Sequence, residues 1–141
     1  MPESLMFNVY GKPEPQGSVR AFMIGGRPRI TSDNPKMKIF RSEMTRVARE
    51  AVREAGAEEP MFGKHEPVAV SFDFIFRKPE SVSKKRTHCV VRPDADKLTR
   101  MACDALTGSV WHDDAQVVTI VARKLYGAVE GVRVRVERAA C

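Results

Sequence analysis

The feature that most constrains the fold is a regular alternation of apolar residues between positions 68 and 76. Its apolar members are Val68, Val70, Phe72, Phe74 and Phe76. A period of two places every second side chain on the same face of a β-strand. We therefore predict a strand with one face in the core, and we interpret the phenylalanines as core residues rather than as a platform for stacked bases.

Two other segments carry apolar residues at helical spacing, and we predict a helix for each. The first begins at Asn34-Pro35, where asparagine can cap free amides and proline fits the first turn, and it ends at Gly56. The second runs from about Asp96 to Leu106, with Gly108 beyond its carboxyl end. The arginines on the polar side of the first helix can contact phosphate but are more typical of a solvated face.

Shorter segments complete the outline of the fold. Strands are predicted at Leu5–Tyr10, Val117–Leu125 and Val132–Arg138, and a hairpin at Arg20–Ile24 and Arg27–Thr31 around Gly25-Gly26. Pro28 restricts this hairpin to the edge of a sheet. A chain of 141 residues fits one domain, residues 1–141. The predicted fold is α/β, in the two-layer α+β arrangement, with a small mixed sheet of about four to five strands and two main helices.

The charge of the chain favours a polyanionic partner. The net charge is +6, and a basic surface of this kind suits nucleic acid. A polar segment at about residues 78–93 holds Lys84, Lys85, Arg86 and Arg92 without helical periodicity. We predict that it forms a mobile basic loop that contacts phosphate; the alternative is a solvated linker.

The cysteines and the apolar segments indicate the cellular environment. The three cysteines form no CxxC pair, which indicates reduced thiols rather than a disulfide framework or a zinc site. The sequence has no signal-peptide pattern and no apolar stretch of membrane-spanning length. We expect a soluble intracellular protein that does not bind membranes.

Two acidic pairs stand out within this basic chain. Asp94 and Asp96 follow the basic segment, and Asp113-Asp114 follows the second predicted helix. Carboxylates beside bound phosphate are favourable mainly when a divalent cation lies between them. Oxygen ligands suit Mg²⁺ or Mn²⁺ better than zinc. The acidic residues are therefore candidates for a metal site.

The positions of these residues leave two interpretations open. An i, i+2 pair at the entry to a helix can place both carboxylates on one ion. If the strand near Val117 lies beside the strand that feeds Asp94, one carboxylate of Asp113-Asp114 can complete the cluster. Alternatively, Asp94 or Asp96 caps the helix and Asp113-Asp114 forms a turn. The spacing alone favours neither interpretation.

The run from Arg92 to Val118 contains several short motifs in a fixed order. They are Asp94 and Asp96, Asp104-Ala105-Leu106, Trp111 and Asp113-Asp114-Ala115-Gln116-Val117. This order resembles the signature region of the RusA family of Holliday junction resolvases, which has a DxDN pattern, a helix that ends in DAL, an aromatic residue and then DDAQV. The opening segment GKPEPQGSVR is also similar to that of phage-type members.

The resemblance implies a small α/β homodimer that uses Mg²⁺, for which Mn²⁺ can substitute, and no small-molecule cofactor. It implies an endodeoxyribonuclease that resolves four-way DNA junctions by paired symmetric nicks, in DNA recombination and repair. Its expected location is the cytoplasm of a bacterial or phage-infected cell. The metal-binding carboxylates carry over to Asp94, Asp96 and Asp114, with Asp113 as an additional candidate.

Two positions depart from the family pattern. Lys97 stands where many members have asparagine, and Arg100 stands where some have a functionally important lysine. Arginine keeps the charge but not the compact, titratable ammonium, so Arg100 is a catalytic candidate for stabilising phosphate rather than for moving a proton. The candidates for DNA binding are Lys84, Lys85, Arg86, Arg92 and Lys97.

Two alternative functions remain open from the sequence. One is a non-catalytic nucleic-acid-binding module, in which the carboxylates only cap and brace the helix. The other is a nuclease for other branched DNA, which shares the chemistry and differs in substrate.

Two residues beside the acidic pair have simpler interpretations. His112 is interpreted as polar surface. Trp111 is interpreted as a core anchor rather than as a residue that stacks on an opened base.

Overall fold

The computed structural model describes residues 3–17, 19–32 and 34–140. In chain order, the strands are β1 (Ser4–Tyr10), β2 (Val19–Ile24), β3 (Arg27–Ser32), β4 (Val68–Phe76), β5 (Val117–Tyr126) and β6 (Gly131–Arg138). The helices are α1 (Pro35–Glu54) and α2 (Ala95–Leu106), and a short 3₁₀ turn covers Asp114–Gln116. These bounds lie close to the predicted ones. The predicted mixed α+β fold with two main helices is confirmed.

The main sheet has four strands in the order β1-β6-β4-β5. β6 is antiparallel to both of its neighbours, β1 and β4, whereas β5 is parallel to β4. Because β4 and β5 are parallel, both begin at one end of the sheet and both finish at the opposite end. Helix α2 lies between them in the chain. The expected strand, helix, strand unit is therefore present.

The hairpin forms a separate sheet of two strands, β2 and β3. Gly25 and Gly26 both have positive φ angles, 58° and 76°, as a tight turn between antiparallel strands requires. Pro28 lies opposite Met23 in this pair. The predicted hairpin is confirmed, but it is not part of the main sheet.

The core lies between one face of the main sheet and the two helices. Register aligns its residues in three rows, which are Leu5, Val136 and Val70, then Phe7, Val134 and Phe72, then Val9, Val132 and Phe74. All of these side chains are buried, each contributing roughly 1.5–3 kcal/mol to stability. The core interpretation of the alternating phenylalanines is confirmed.

Helix α1 covers this face through Met37, Phe40, Met44, Ala48 and Val52, which are buried. Asn34 caps the helix as predicted, because its Oδ1 accepts a hydrogen bond of 3.2 Å from the Met37 backbone N–H. On the exposed side, Arg46 pairs with Glu43 and Glu50. Such paired, exposed arginines favour the interpretation of a solvated face.

Two further expectations concern membranes and cysteines. Among the described residues, no helix combines the length and apolar character needed to cross a membrane. Cys89 and Cys103 are free thiols, as predicted. Cys141 lies outside the described residues.

Candidate active site

Asp94 and Asp96 lie at the amino end of α2. Asp94 occupies the N-cap position in an extended conformation, but its side chain makes no capping hydrogen bond. Asp96 lies in the first turn, where the helix dipole favours negative charge. Both side chains are exposed. The interpretation of Asp94 as a side-chain cap is not supported, in contrast to Asn34, and its carboxylate oxygens are not used by the helix.

Asp114 lies at the opposite end of α2. Its Oδ1 accepts hydrogen bonds from the Thr107 hydroxyl at 2.5 Å and from the Trp111 indole N–H at 3.0 Å. Thr107 is the residue that ends the helix, and Trp111 is fully buried. The core interpretation of Trp111 is therefore confirmed, and the same side chain holds the Asp114 carboxylate in place.

The pKa of Cys103, near the carboxyl end of α2, is affected by the charge of Asp114. Burial, together with the charges of Asp114 and Asp104, raises the pKa of the Cys103 thiol to about 12. Cys103 is therefore a neutral thiol near neutral pH, and the Asp114 carboxylate lies close enough to influence it.

The acidic residues consequently form two groups rather than one. Helix α2 has 12 residues and is about 18 Å long at 1.5 Å per residue, so Asp94 and Asp114 lie far apart. In the described part of the chain, no group of three or more His, Cys, Asp or Glu side chains is placed to hold a metal ion. The expectation that one chain alone brings Asp113 or Asp114 to the first pair is not met.

Asp114 lies far from Asp94 because β4 and β5 run in the same direction. β5 lies beside β4, as expected, but the two strands are parallel. Asp114 precedes β5 and therefore lies where the two strands begin. Asp94 follows β4 and lies where the strands finish, since the Lys124 Nζ near the end of β5 donates hydrogen bonds to the backbone oxygens of Val91 and Pro93 at 2.6 and 2.9 Å.

Asp113 has a structural role in the acidic turn. Its carboxylate accepts a hydrogen bond of 2.9 Å from the Ala115 backbone N–H, which caps the 3₁₀ turn. Gln116 holds the turn against the rest of the protein. Its Oε1 accepts hydrogen bonds from the backbone N–H groups of His112 and Asp113, and its Nε2 donates to the carbonyls of Gly63 and Glu66. The turn interpretation therefore applies to Asp113, whereas the Asp114 carboxylate is held by Thr107 and Trp111.

The predicted basic loop lies between β4 and α2 and contains no helix or strand. Lys84, Lys85, Arg86 and Arg92 are all exposed along it. The mobility of the loop stays a prediction.

On α2, Arg100 is exposed and follows Asp96 by four residues, so the two side chains lie on the same side of the helix. Lys97 is half-buried.

A cavity of about 590 Å³ adjoins this end of the protein. Its walls come from the segment Lys12–Gly17, the ends of β4 and β5, and the residues that lead into α2, including Asp94 and Lys97. The backbone N–H of Gln16 donates a hydrogen bond of 3.0 Å to the Lys97 carbonyl, which attaches the segment Lys12–Gly17 to the first turn of the helix.

Several residues of this region were not found by sequence reasoning. Gln16, Tyr126 and Lys124 lie in segments whose pattern indicates only a non-regular loop or a strand. The roles of Thr107 and Gln116 in holding the acidic turn were also missed. For Gln116, the spacing Asp113-x-x-Gln116 was a signal, because a glutamine three residues after an N-cap can bond back to the backbone N–H of the cap.

The chain is similar to known proteins over most of its length. The family model described as Endodeoxyribonuclease RusA matches residues 11–137. The chain is also 27% identical over 137 residues to a protein of Bacillus subtilis (strain 168) named Uncharacterized protein YqaN, and the match covers 95% of this chain and 96% of that protein. The family match spans both ends of α2 and the cavity.

Proposed function

The chain belongs to the RusA family of endodeoxyribonucleases, and on that premise we propose that it is a Mg²⁺-dependent enzyme that resolves four-way DNA junctions by paired symmetric nicks. The observation that carries the proposal is the pair Asp94 and Asp96 at the start of α2. Both carboxylates are exposed, Asp94 is not used as a cap, and cationic side chains adjoin them.

The donor set suits the proposed ion. Asp94, Asp96 and Asp114 supply only carboxylate oxygens, which Mg²⁺ and Mn²⁺ prefer. When bound, such an ion supplies charge stabilisation at the scissile phosphate and a lowered pKa of the attacking water. The chain itself contributes the arrangement of the carboxylates and the cations that hold the DNA backbone.

The cations have separable roles in the proposal. Arg100 projects from the same side of α2 as Asp96, so its guanidinium binds a phosphate beside the carboxylates and stabilises negative charge there. Arg92 and Lys97 flank Asp94 in the chain and bind neighbouring phosphates. The exposed group Lys84, Lys85 and Arg86 holds a more distant part of the DNA. These contacts recognise backbone shape rather than base sequence.

The separation of Asp114 from the other carboxylates supports the homodimer in this proposal. β5 is an edge strand of the main sheet, and three apolar side chains along it, Val118, Ile120 and Val121, are 61%, 47% and 50% exposed. An exposed apolar edge of this kind is a ready site for pairing with another strand. In the proposed dimer, the two β5 strands pair antiparallel about a two-fold axis.

This pairing completes two metal sites. The beginning of one β5, with Asp114, comes beside the end of the partner's β5, where Lys124 positions the loop that leads to Asp94. Each site then combines Asp94 and Asp96 from one chain with Asp114 from the other. A two-fold pair of sites suits two symmetric nicks in a nearly two-fold junction.

The test is cleavage of a synthetic four-way junction by Asp94→Asn, Asp96→Asn and Asp114→Asn variants, with and without Mg²⁺. Each substitution removes a ligand charge, and we expect nicking to fall by more than the roughly 10–100-fold typical of an outer-shell partner. Junction binding should be unchanged or tighter, because repulsion of phosphate is lowered. Glu58→Gln, at an exposed carboxylate of the loop after α1, is the matched control and should keep full activity.

The outcomes separate the alternative functions. Retained nicking in all three aspartate variants would contradict the metal site. Binding by the unaltered chain without any Mg²⁺-dependent cleavage would identify a non-catalytic binding module. Equal cutting of linear duplex or flap substrates would remove the selectivity for junctions while leaving the nuclease in place.

A further inference from the structure

The hairpin of β2 and β3 is separate from the main sheet and carries a positive charge. Its two strands have six residues each and form a sheet of their own. At about 3.4 Å per residue, such a hairpin is roughly 20 Å long. The segment 19–32 contains three arginines, Arg20, Arg27 and Arg29, and no aspartate or glutamate. The hairpin is therefore a basic element that is not part of the main sheet.

The strand register places the three arginines on one face of the hairpin. The pairs that include them are Arg20 with Thr31, Phe22 with Arg29, and Ile24 with Arg27. Residues that lie opposite one another in antiparallel strands share a face, as do residues two apart along a strand. These three pairs therefore form one face, which we call the arginine face, and the opposite face has no charged residue.

The tip of the hairpin is not covered by the rest of the described chain. Met23 and Ile24 are 66% and 57% exposed, and Arg27 and Pro28 are exposed as well. Ile24 and Arg27 belong to the arginine face, whereas Met23 and Pro28 belong to the opposite face. A sheet of only two strands is marginally stable in water. A partner that contacts the hairpin would therefore also stabilise it.

Both ends of the hairpin begin next to the candidate active site. β2 starts two residues after Gly17, and β3 ends two residues before Asn34. Gly17 and Asn34 lie in the wall of the same cavity as Asp94, and the Asn34 side-chain amide donates a hydrogen bond of 3.0 Å to the Pro15 carbonyl. Two residues span at most about 7 Å. The base of the hairpin therefore lies close to the carboxylates.

We propose that the hairpin is a DNA-binding arm whose arginine face lies along the sugar-phosphate backbone of the duplex next to the cut. Arg20, Arg27 and Arg29 bind phosphates there, and none of them takes part in the chemistry. The proposal rests on the DNA substrate of the proposed nuclease function and adds an interaction surface to it, distinct from the basic loop between β4 and α2.

The spacing of the arginines fits a duplex. The three pairs of the arginine face follow one another two residues apart, which is about 6.8 Å along the strands. A duplex rises by about 3.4 Å per base pair, so the arginine face covers phosphates spread over about four base pairs. An arginine guanidinium binds phosphate oxygens in a bidentate manner. The face thus complements the DNA backbone in both charge and spacing.

The test is the salt dependence of binding to a synthetic four-way junction without Mg²⁺, so that no cleavage occurs. Each phosphate contact contributes roughly 0.9 to the slope of log K against log salt concentration. We therefore expect the triple variant Arg20→Gln/Arg27→Gln/Arg29→Gln to have a slope less steep by about 2–3. Arg27→Gln alone, at the exposed tip, should change the slope by about 0.9. The triple variant with lysine at the same positions keeps the charge and should keep the slope.

Ethylation of single phosphates locates the contacts. Ethylation removes the charge of one phosphate, and it weakens binding where the protein needs that charge. We expect a group of phosphates, within about four base pairs of one duplex arm beside the cut, at which ethylation weakens binding by the unaltered chain but not by the glutamine triple variant. An identical set of sensitive phosphates for both proteins would contradict the contact.

The matched control is the triple variant Arg46→Gln/Arg49→Gln/Arg53→Gln on the exposed side of α1. It removes the same charge, and Arg46 and Arg49 already pair with glutamates, so its slope should change by much less. The thermal unfolding midpoint of each variant shows that the fold is kept. Equal changes of slope in the two glutamine triple variants would mean that only net charge matters and would overturn the proposal.

The same measurements separate this proposal from the nuclease function. A chain that nicks junctions, but whose slope is unchanged by the hairpin substitutions, would overturn the arm alone. A chain that binds junctions with a slope that depends on the hairpin, but never nicks them, would contradict the nuclease function and support the arm as a nucleic-acid-binding surface.

Discussion

At the scale of single residues, the side chain of Trp111 belongs both to the core and to the candidate site. Trp111 is fully buried, and its indole N–H donates to both Asp114 Oδ1 and Thr107 Oγ1. A buried indole N–H needs a partner, and here that partner is the carboxylate proposed to bind the ion. Packing of the core and orientation of Asp114 therefore depend on the same residue.

Trp111→Phe tests this coupling. The substitution keeps an aromatic ring in the core but removes the N–H donor, so we expect stability to fall by about 1–3 kcal/mol and nicking to fall with it. Urea unfolding measures the first effect and single-turnover nicking the second. Phe62→Leu is the control, because Phe62 is buried beside Trp111 without a hydrogen bond to Asp114. If both variants lose activity equally at equal stability, the indole does not orient Asp114.

At the scale of elements, β5 connects the two ends of the candidate site. Asp114 lies directly before it, and Lys124 near its end holds the carbonyls of Val91 and Pro93. An ammonium that bonds two carbonyls attaches the end of a long loop to the sheet. The position of Asp94 therefore depends on β5 as well as on α2.

Lys124→Met removes these two hydrogen bonds while keeping an apolar stem of similar length. We expect the end of the basic loop to be cleaved more rapidly by protease and nicking to fall by roughly tenfold, the factor for about 1.4 kcal/mol of lost positioning. Arg123→Met is the control, because Arg123 pairs with Asp73 on the other face of β5 and has no described contact with the loop. Unchanged nicking in Lys124→Met would show that β5 does not position Asp94.

At the scale of the whole molecule, the proposed site belongs to two chains. A dimer built from one Asp94→Asn chain and one Asp114→Asn chain distinguishes this from a site within one chain. In the shared arrangement, both substitutions fall in the same site, and the other site is intact. We expect such a heterodimer, purified through two different tags, to nick junctions at about half the normal rate, with one nick instead of two.

The matched control is a heterodimer of Asp94→Asn and Asp96→Asn chains. These two residues belong to the same half of the site, so each site in that dimer carries one substitution and both should be inactive. Activity in neither heterodimer would contradict a site shared between chains, whereas a monomer that nicks junctions would contradict the dimer itself.

Sequence patterns predicted much of this architecture because the relevant signals are local. The period of two in β4 and the helical spacing in α1 and α2 depend on neighbouring residues only, and each was confirmed. Asp94 and Asp96 could be placed together for the same reason, since two residues at i and i+2 stay close in any conformation. The resemblance around α2 identified the family, which the match over residues 11–137 confirms.

The sequence by itself thus determined the strands, the helices, the family and the location of the first acidic pair. Only the tertiary structure decided where Asp114 lies, because that depends on whether β5 runs parallel or antiparallel to β4. It likewise decided that Gln16, Lys97 and Tyr126 border one cavity, since contacts between residues so distant in the chain leave no periodic signal. Local patterns determine elements, whereas the direction in which paired strands run determines which ends meet.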